Sequence, residues 1–474
     1  MATRSIGAAL DVLAARDPER VAVHEVGRRR AVTRREVADG SAALAAAWAP
    51  DVARDDVVAL ALGNTADLVL ACAAVWRLGA TPLPLDPGAD HAAVLGAAAP
   101  TLVVGTLPDV PGDRVPDREP ASSWKATASG GSTGPPKVVV STGPARVDPD
   151  ADVAPYLPRD QTQLVSGPLH HSAPFTYALR GLMTGHTLVV LPRFSPEAVL
   201  SAVPRFGVTW ALLVPTMLHR LRRHPDVEGA DLSSLRHLVH LGAPCPPDLK
   251  RWWLTRLGPE RVVEVYASSE SAGITMIRGD EWLTAPGSVG RPVGGSRFRV
   301  VTPEGRALPA GEIGEVLMTR PGGPRYRYLA ASPEQAAPRR IPGWDGWDAL
   351  GDLGWLDDAG RLHLVDRAVD VIRAGGVDVH PARVEAALEA HPAVRSCVVI
   401  GMPEQDGDCE RVHALLDLDG EADPAEVVAA ARARLPAVAV PTSVEVVAGP
   451  LRDDAGKVRR SAWRAARAGP GQRR

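Results

Sequence analysis

The sequence predicts an α/β protein with a large N-terminal domain and a smaller α+β domain at its C-terminal end. A strand, a helix and a second strand follow one another within residues 57–85, which is the order of a parallel βαβ unit, and a second block of this type starts near residue 187. From about residue 285 short strands separated by glycine turns predict a small antiparallel β-barrel. Helices return after Arg367. A chain of 474 residues is long enough for these parts.

The first block gives the clearest local signals. Thr65 is a suitable N-cap for an apolar helix, and Gly79 is a suitable stop just beyond Arg77. The predicted elements are a helix at 7–15, a strand at 57–62, a helix at 65–77, strands at 80–85 and 101–105, and a surface connection at 106–124.

The later elements complete two predicted domains, residues 1–367 and 368–474. In the second block a helix begins at Ser195-Pro196-Glu197, because serine caps a helix and proline suits its first position. The predicted strands of this block lie at 187–191, 210–215 and 237–242. The β-rich part spans about 285–367 and contains a hairpin turn at 357–360. In the C-terminal domain helices begin at Pro381 and Pro424, with the boundary near 366–370.

The composition excludes several classes of function. The net charge of −3 leaves no global basic field for nucleic acid. No apolar run reaches the ~18 residues of a membrane span, and the N-terminus lacks the apolar core of a signal peptide. The four cysteines are far apart and lack metal-ligand spacing, which favours a reducing, cytoplasmic setting.

Lysine is rare in this chain. Of the 53 basic residues only four are lysine, and two of these lie in glycine-containing loops. The loop 129–137, SGGSTGPPK, combines glycines, hydroxyl side chains and a lysine, and these groups together form an anion-binding nest. The predicted phosphate-binding residues are Ser129, Gly131, Ser132, Thr133, Gly134 and Lys137. The spacing differs from that of nucleotide P-loops, since Val138 stands where a magnesium-binding Ser or Thr would follow the lysine.

SGGSTGPPK resembles the TSGSTGxPK signature of the adenylate-forming superfamily, which contains acyl-CoA synthetases, nonribosomal-peptide adenylation domains and luciferases. Further segments match in order along nearly the whole chain, closest to acyl-CoA ligases for bulky acids. They are GNTADLVLACAAVWRLGATPLPLDP (63–87), GPLHHSAPF (167–175), HLGAPCPPDLK (240–250), YASSE (266–270), GDLGWLDDAGRLHLVDR (351–367), GGVDVHPARVE (375–385) and RDDAGKVRR (452–460).

The resemblance implies a two-step reaction and a set of residues for it. A carboxylate attacks the α-phosphate of MgATP to give acyl-AMP, and a thiol such as that of CoA then takes the acyl group. The implied cofactors are ATP, Mg²⁺ and, with less support, CoA. The implied residues are Lys457 and His171 for catalysis, Tyr266, Ser269, Asp352 and Arg367 for the nucleotide, and Glu270 for magnesium. A mobile C-terminal domain would turn about the hinge Arg367, Ala368 and Val369, with Gly375 and Gly376 at the CoA tunnel.

The predicted acid pocket is mostly apolar. Relatives that activate amino acids place an Asp soon after the segment that corresponds to 167–171, whereas Pro174–Leu179 contains no carboxylate. A free amino acid is therefore disfavoured, and a bulky apolar acid (aromatic, alicyclic or terpenoid-like) is favoured. The predicted wall consists of Phe175, Trp210, Met217, His240, Gly242, Ala243 and Pro244.

Three departures from the family pattern keep alternatives open. Val369 stands where the hinge usually carries Asp or Lys, Leu350 replaces a Thr, and Val138 replaces a Gly. The leading hypothesis is an acid–CoA ligase. The alternatives are an adenylating enzyme that passes acyl-AMP to a carrier protein or a separate thiolating partner, and a non-catalytic nucleotide-binding relic. A homodimer also stays open.

Overall fold

A computed structural model describes residues 3–110, 114–128, 137–330, 332, 339–404, 409–420, 422–449, 451–453 and 456–467. The first block contains β1 (Arg4–Ser5), α1 (Ile6–Arg16), β2 (Val21–Glu25), β3 (Arg30–Thr33), α2 (Arg34–Trp48), β4 (Val57–Leu60), α3 (Ala66–Arg77), β5 (Thr81–Pro84), α4 (Ala92–Ala98), β6 (Leu102–Val104), β7 (Ala126–Ala128), β8 (Val138–Ser141) and β9 (Arg146–Val147). The predicted βαβ unit is thus present, with Thr65 capping α3 through its side chain and Gly79 beyond its end at φ +68°.

The second block carries the main parallel sheet. Its elements are β10 (Thr162–Val165), α5 (Ser172–Met183), β11 (Thr187–Val190), α6 (Pro196–Phe206), β12 (Trp210–Leu213), α7 (Pro215–Arg222), β13 (His237–His240), α8 (Pro247–Leu257), β14 (Val262–Ala267), β15 (Ile274–Arg278), α9 (Gly279–Thr284) and β16 (Ser288–Pro292). Strand β12 is shorter than predicted because Pro215 begins α7.

The β-rich part continues this sheet. Its strands are β17 (Arg297–Val301), β18 (Gly314–Thr319), β19 (Tyr326–Leu329), β20 (Asp348–Leu356) and β21 (Leu362–Arg367). The strand order of the large sheet is β17-β18-β20-β21-β16-β15-β14-β13-β12-β10-β11-β2-β3. The antiparallel strands therefore join the parallel sheet through the β16–β21 pairing. Two smaller sheets of this domain have the strand orders β5-β4-β6 and β19-β8-β7.

The C-terminal part has a hydrophobic core of its own, built around Val384, Val399 and Leu416. Its elements are β22 (Ile372–Ala374), β23 (Val377–Val379), α10 (Pro381–Glu389), β24 (Val394–Pro403), β25 (Glu410–Leu418), α11 (Pro424–Arg432), β26 (Ser443–Val446) and α12 (Arg460–Arg467). Short 3₁₀ turns lie at Pro259–Arg261, Ala368–Asp370 and Ala437–Ala439. The α/β class, with a large N-terminal and a smaller C-terminal domain, is confirmed. No helix among the described residues has the length and apolar character needed to span a bilayer.

Candidate active site

The loop before α12 enters a cleft of the large domain. Gly456 has φ +74°, and a Cβ built on it would lie 2.5 Å from the Thr216 hydroxyl and 3.3 Å from Val214, so only glycine fits this approach. The next residue is Lys457, whose backbone N–H donates to the Asp453 carboxylate at 2.8 Å. The predicted catalytic lysine is thereby held against the N-terminal end of α7.

Lys457 faces charged groups from the large domain. Burial of the ammonium lowers the pKa of Lys457, and Arg367 and Arg459 act in the same direction. Asp453 and Glu270 oppose this shift because they stabilise the charged form. The Lys457 side chain keeps solvent contact, as expected for a group at the mouth of an open cleft. The structure therefore places the predicted lysine and the predicted magnesium ligand in one electrostatic environment.

His171 lies at the same cleft. It occupies the N-cap position of α5, and its Nε2 is 4.0 Å from a carboxylate oxygen of Asp453. Burial lowers the pKa of His171 to about 3, with Lys457 and His170 adding to the effect. The imidazole is consequently neutral at physiological pH, so it can serve as a hydrogen-bonding group but carries no charge.

Three of the four residues predicted to bind the nucleotide lie on β14, β20 and β21 and contact one another. The Tyr266 hydroxyl donates to Asp352 at 2.5 Å, and Arg367 Nε is 3.4 Å from the other carboxylate oxygen. The register of β20 and β21 pairs Asp352 directly with Arg367. Burial raises the pKa of Asp352, while Arg367 and Tyr266 oppose that shift. Arg367 also donates to the Leu350 backbone carbonyl at 2.7 Å.

The predicted metal ligand has a neighbour that the sequence analysis missed. Ser269 and Glu270 lie in the turn after β14, and the Tyr328 hydroxyl donates to Glu270 Oε1 at 2.9 Å. The ring of Tyr328 also lies 4.9 Å from the Lys137 ammonium, within the range of a cation–π contact. Tyr328 is on β19, which pairs with β8, the strand that follows the predicted phosphate loop. These two strands are far apart in sequence, so no local pattern predicts their pairing.

A single carboxylate is a fitting partner for magnesium bound with ATP. Among the described residues there is no cluster of three or more His, Cys, Asp or Glu side chains that could hold a metal by themselves. Mg²⁺ commonly uses one or two carboxylates and takes its other ligands from phosphates and water. Glu270, held through one oxygen by Tyr328, fits that donor set. Ser129, Gly131, Ser132, Thr133 and Gly134 lie outside the described residues.

The structure does not bring the predicted acid-pocket side chains together. Trp210 belongs to a cluster on one face of the sheet, whereas Met217 packs in a cluster on the opposite face. Side chains alternate along a strand, so His240 shares the face of Leu238, which belongs to the same cluster as Met217. Phe175 packs in a third cluster, and its ring centroid is 6.1 Å from that of Trp124.

The face that carries Trp210 includes a tyrosine pair missed by the sequence analysis. Tyr177 lies two helical turns after His171 on α5, with its ring centroid 5.9 Å from that of Trp210. Its hydroxyl is 3.4 Å from that of Tyr156, and the Trp210 indole N–H donates to the Tyr156 carbonyl at 2.7 Å. Gly242, Ala243 and Pro244 follow β13 in a loop. The i, i+4 spacing of Ala173 and Tyr177 could have indicated that both side chains lie on one face of α5, and both pack in the cluster of Trp210.

The predicted hinge coincides with a short turn. The 3₁₀ turn Ala368–Asp370 follows β21, and Val369 is 58% exposed. The charge absent from position 369 is present at Asp370, which pairs with Arg460 at 3.1 Å. One residue before the hinge, Asp366 accepts from the Ala382 backbone N–H of α10 at 2.9 Å, and burial raises its pKa to about 6.

Gly375 and Gly376 form the turn between β22 and β23, both with positive φ.

A separate set of contacts joins the two domains. Arg223, the C-cap residue of α7, donates to the Asp419 carboxylate and to the Pro392 carbonyl of the C-terminal domain.

Comparison with known proteins assigns the family. The family model described as AMP-binding enzyme matches residues 10–122 and 126–325, and the model of the AMP-binding enzyme C-terminal domain matches residues 383–457. The chain belongs to the AMP-binding enzyme family. The superfamily resemblance seen in the sequence is thereby confirmed.

Curated relatives of this AMP-binding enzyme include CoA ligases. A feruloyl-CoA synthase from Amycolatopsis sp is 36% identical over 292 residues, which cover 61% of this chain and 58% of the relative. The match therefore spans less than two thirds of that relative's length. A ligase from Mycobacterium tuberculosis, named 3-[(3aS,4S,7aS)-7a-methyl-1,5-dioxo-octahydro-1H-inden-4-yl]propanoyl:CoA ligase, is 29% identical and covers 96% of this chain and 97% of its own.

Solved structures share the fold of this AMP-binding enzyme along nearly its whole length. ATP-bound MatB from Rhodopseudomonas palustris matches with a TM-score of 0.80 and 24% identity, covering 98% of this chain and 99% of its own. The amide bond synthetase McbA from Marinactinospora thermotolerans matches with a TM-score of 0.79 and 28% identity, covering 98% and 100%.

Proposed function

We propose that this AMP-binding enzyme activates a carboxylic acid with ATP and transfers the acyl group to CoA. In the first step an oxygen of the acid bonds to the α-phosphorus and the bond to pyrophosphate breaks, giving acyl-AMP. In the second step the CoA thiol loses its proton and bonds to the acyl carbon, and AMP leaves. The observation that carries the proposal is the entry of the Gly456–Lys457 loop into the cleft, where Glu270 and Arg367 of the large domain act on the ammonium and Arg367 pairs with Asp352.

The side chains of the cleft suit the first step. Negative charge grows on the phosphate oxygens during the transfer, and a placed ammonium such as that of Lys457 stabilises it. The neutral His171 is at hand to hydrogen-bond the acid or the adenylate without repelling Lys457. Asp352 offers a carboxylate for ribose hydroxyls, and magnesium held at Glu270 would neutralise phosphate charge. Gly375 and Gly376 are proposed to border the path of the CoA arm.

We propose a bulky apolar acid of aromatic, alicyclic or terpenoid-like type as the substrate. The segment Pro174–Leu179 carries no carboxylate to pair with a substrate ammonium, and its Tyr177 belongs to a buried aromatic cluster with Tyr156 and Trp210. Two relatives support this class by name, since one is a feruloyl-CoA synthase and the other a ligase for a fused-ring propanoate.

A second function has specific support. Adenylation without CoA transfer would hand acyl-AMP to a carrier protein or to another acceptor. Val369 lacks the hinge charge, a relative from Streptomyces coeruleorubidus that is 31% identical over 258 residues is a fatty acid–[acyl-carrier-protein] ligase, and a fold neighbour is an amide bond synthetase.

A product assay separates these functions. The protein is incubated with MgATP and a panel of aromatic, alicyclic and linear acids, with and without CoA, and products are identified by mass spectrometry. We expect acyl-CoA from aromatic or alicyclic acids. Acyl-AMP that persists in the presence of CoA would favour transfer to another acceptor. ATP binding without acid-dependent pyrophosphate release would refute the proposal and favour a non-catalytic relic.

Tyr328→Phe is expected to weaken the magnesium dependence of ATP binding. The phenylalanine keeps the ring over Lys137 but removes the hydrogen bond that orients Glu270. Loss of a group that orients a metal ligand typically costs about 10-fold in metal affinity. Calorimetry of ATP binding across a magnesium series measures this directly, independent of turnover.

Tyr156→Phe is the control, because it also removes a buried phenol hydroxyl, one that lies 3.4 Å from the Tyr177 hydroxyl on the sheet face of Trp210. Equal magnesium titrations for both variants and the wild type would contradict an orienting role of Tyr328.

A further inference from the structure

One of the four lysines has no role in the proposed reaction and no partner of opposite charge among the described residues. Lys137 and Lys457 belong to the site, and Lys250 forms a buried ion pair with Glu264 at 2.5 Å. Lys125 is only 3% exposed, yet no carboxylate of the described residues lies within 4.0 Å of its ammonium. Burying an ammonium without an opposite charge is costly, so its presence calls for an explanation.

The ammonium of Lys125 connects two parts of the site. Its Nζ donates to the Ser172 hydroxyl at 2.9 Å and to the Thr176 hydroxyl at 2.8 Å, both on the first turns of α5. Lys125 itself directly precedes β7, the strand that leads into the predicted phosphate loop. His171, at the N-cap of the same helix, is adjacent to Ser172.

The surroundings of Lys125 favour the neutral amine and lower its pKa. Burial and the nearby Arg180 lower its pKa from 10.5 to about 7, against the opposing effect of Glu270. The Trp124 ring centroid is 5.5 Å from Lys125 Nζ and 4.2 Å from the Arg180 guanidinium carbon. An arginine here would bring a wider planar fork, whereas the compact ammonium of lysine reaches both hydroxyls at once.

We propose that Lys125 is a positioning residue that ties the acid-side helix α5 to the strand leading into the ATP-phosphate loop. The inference rests on the proposed function, in which the carboxylate held near α5 must reach the α-phosphorus in line. Rate in such a transfer depends on fixed geometry, and small displacements of one reactant lower it strongly. Lys125 supplies this link without touching either reactant.

Three variants test the link. Lys125→Met removes the ammonium and keeps most of the stem, and Thr176→Val removes one acceptor at nearly constant shape. Thr176→Ser is the matched control because it retains the hydroxyl. Acid-dependent ATP–pyrophosphate exchange is expected to lose about 10-fold in kcat in Lys125→Met and Thr176→Val with little change in the KM for ATP, and to stay near wild type in Thr176→Ser. Activity near wild type in both Lys125→Met and Thr176→Val would overturn the inference.

Amide hydrogen exchange provides a readout that does not require turnover. Peptides covering 123–128 and 169–180 are expected to exchange about fivefold faster in Lys125→Met and Thr176→Val, but not in Thr176→Ser, as fits the loss of one hydrogen bond. Unchanged exchange in Lys125→Met would overturn the inference even if the wild type activates none of the acids. Inactivity of the wild type with every acid would instead refute the proposed function.

The pH dependence of folding stability tests whether the Lys125 amine is buried. The folded protein binds a proton at Lys125 only below about pH 7, whereas the unfolded chain binds it up to its ordinary pKa of 10.5. Stability of the wild type relative to Lys125→Met is therefore expected to rise from pH 7 to pH 9. The charged groups that act on Lys125 are Arg180 and Glu270. Burial lowers the pKa of Arg180 to about 10, so the comparison ends below that pH. A difference in melting temperature that does not change with pH would contradict the buried, unpaired position of Lys125.

Discussion

Lys457→Ala is expected to lower acyl-AMP formation by about 100- to 1,000-fold, the usual loss when one placed donor for transition-state charge is removed. Lys457 is the residue that the C-terminal loop brings into the cleft beside Glu270. Its removal leaves the phosphate charge uncompensated at the moment the bond to pyrophosphate breaks. Acid-dependent ATP–pyrophosphate exchange measures this step alone. ATP affinity should change much less, because the nucleoside contacts lie elsewhere.

Two controls separate this role from a general effect of charge. Lys457→Arg keeps the charge but replaces the point donor with a planar fork, and we expect only partial recovery. Arg459→Ala removes a neighbouring charge that lies outside the proposed contact and should keep most of the activity. Thioester formation from synthetic acyl-AMP should survive in Lys457→Ala, since in that step the acyl carbon–oxygen bond breaks and no bond to the α-phosphorus forms or breaks. Near-normal exchange in Lys457→Ala would refute the role of Lys457.

The fold was largely predictable because its signals are local. Thr65 and Ser195 cap the helices that were predicted from them, each accepting a backbone N–H with its hydroxyl. The β-rich region was recognised from its glycine turns, yet its continuity with the parallel sheet depends on the pairing of β16 with β21, which are far apart in sequence. A pairing between strands that are far apart in sequence has no pattern within a short stretch of residues.

The acid pocket was the least predictable part of the site. Its residues were chosen for apolar character near family motifs, but the side of a strand on which a residue lies depends on where that strand starts. Met217 and Trp210 are both buried, although they pack on opposite faces of the sheet. Tyr177 shares the face of Trp210 only through the packing of α5. Motif residues such as Asp352 were more predictable, because each was assigned by matching a family motif to a position in this sequence.

The hinge illustrates how a departure from a pattern can be compensated nearby. The sequence suggested that Val369 deprives the hinge of a charge that helps to set domain orientation. Asp370 carries a carboxylate one position later and pairs with Arg460 of α12. Asp366 links β21 to α10 from the other side. Thioesterification on this chain is therefore a reasonable expectation, and Val369 alone gives no ground for rejecting it.

Asp352→Asn is expected to weaken ATP binding by about 100-fold, as fits the loss of hydrogen bonds to a charged acceptor. The carboxylate accepts from Tyr266 and lies beside Arg367, so its remaining lone pairs are available to ribose hydroxyls. The amide also removes the counter-charge of Arg367, whose side chain is 43% exposed. Calorimetry of ATP binding measures the change.

Asp348→Asn is the matched control for that substitution. Asp348 lies on the same strand, is buried, and accepts from the Tyr326 hydroxyl at 2.8 Å, so both variants make the same chemical change in a similar setting. Only Asp352→Asn should lose the preference for ATP over 2′,3′-dideoxy-ATP, since the Asp352 carboxylate is proposed to bind the ribose hydroxyls and the Asp348 carboxylate is not. Combining each variant with the analogue isolates that pairwise energy. Equal discrimination by Asp352→Asn and the wild type would assign Asp352 to the support of Tyr266 and Arg367, and would leave the ribose to another group.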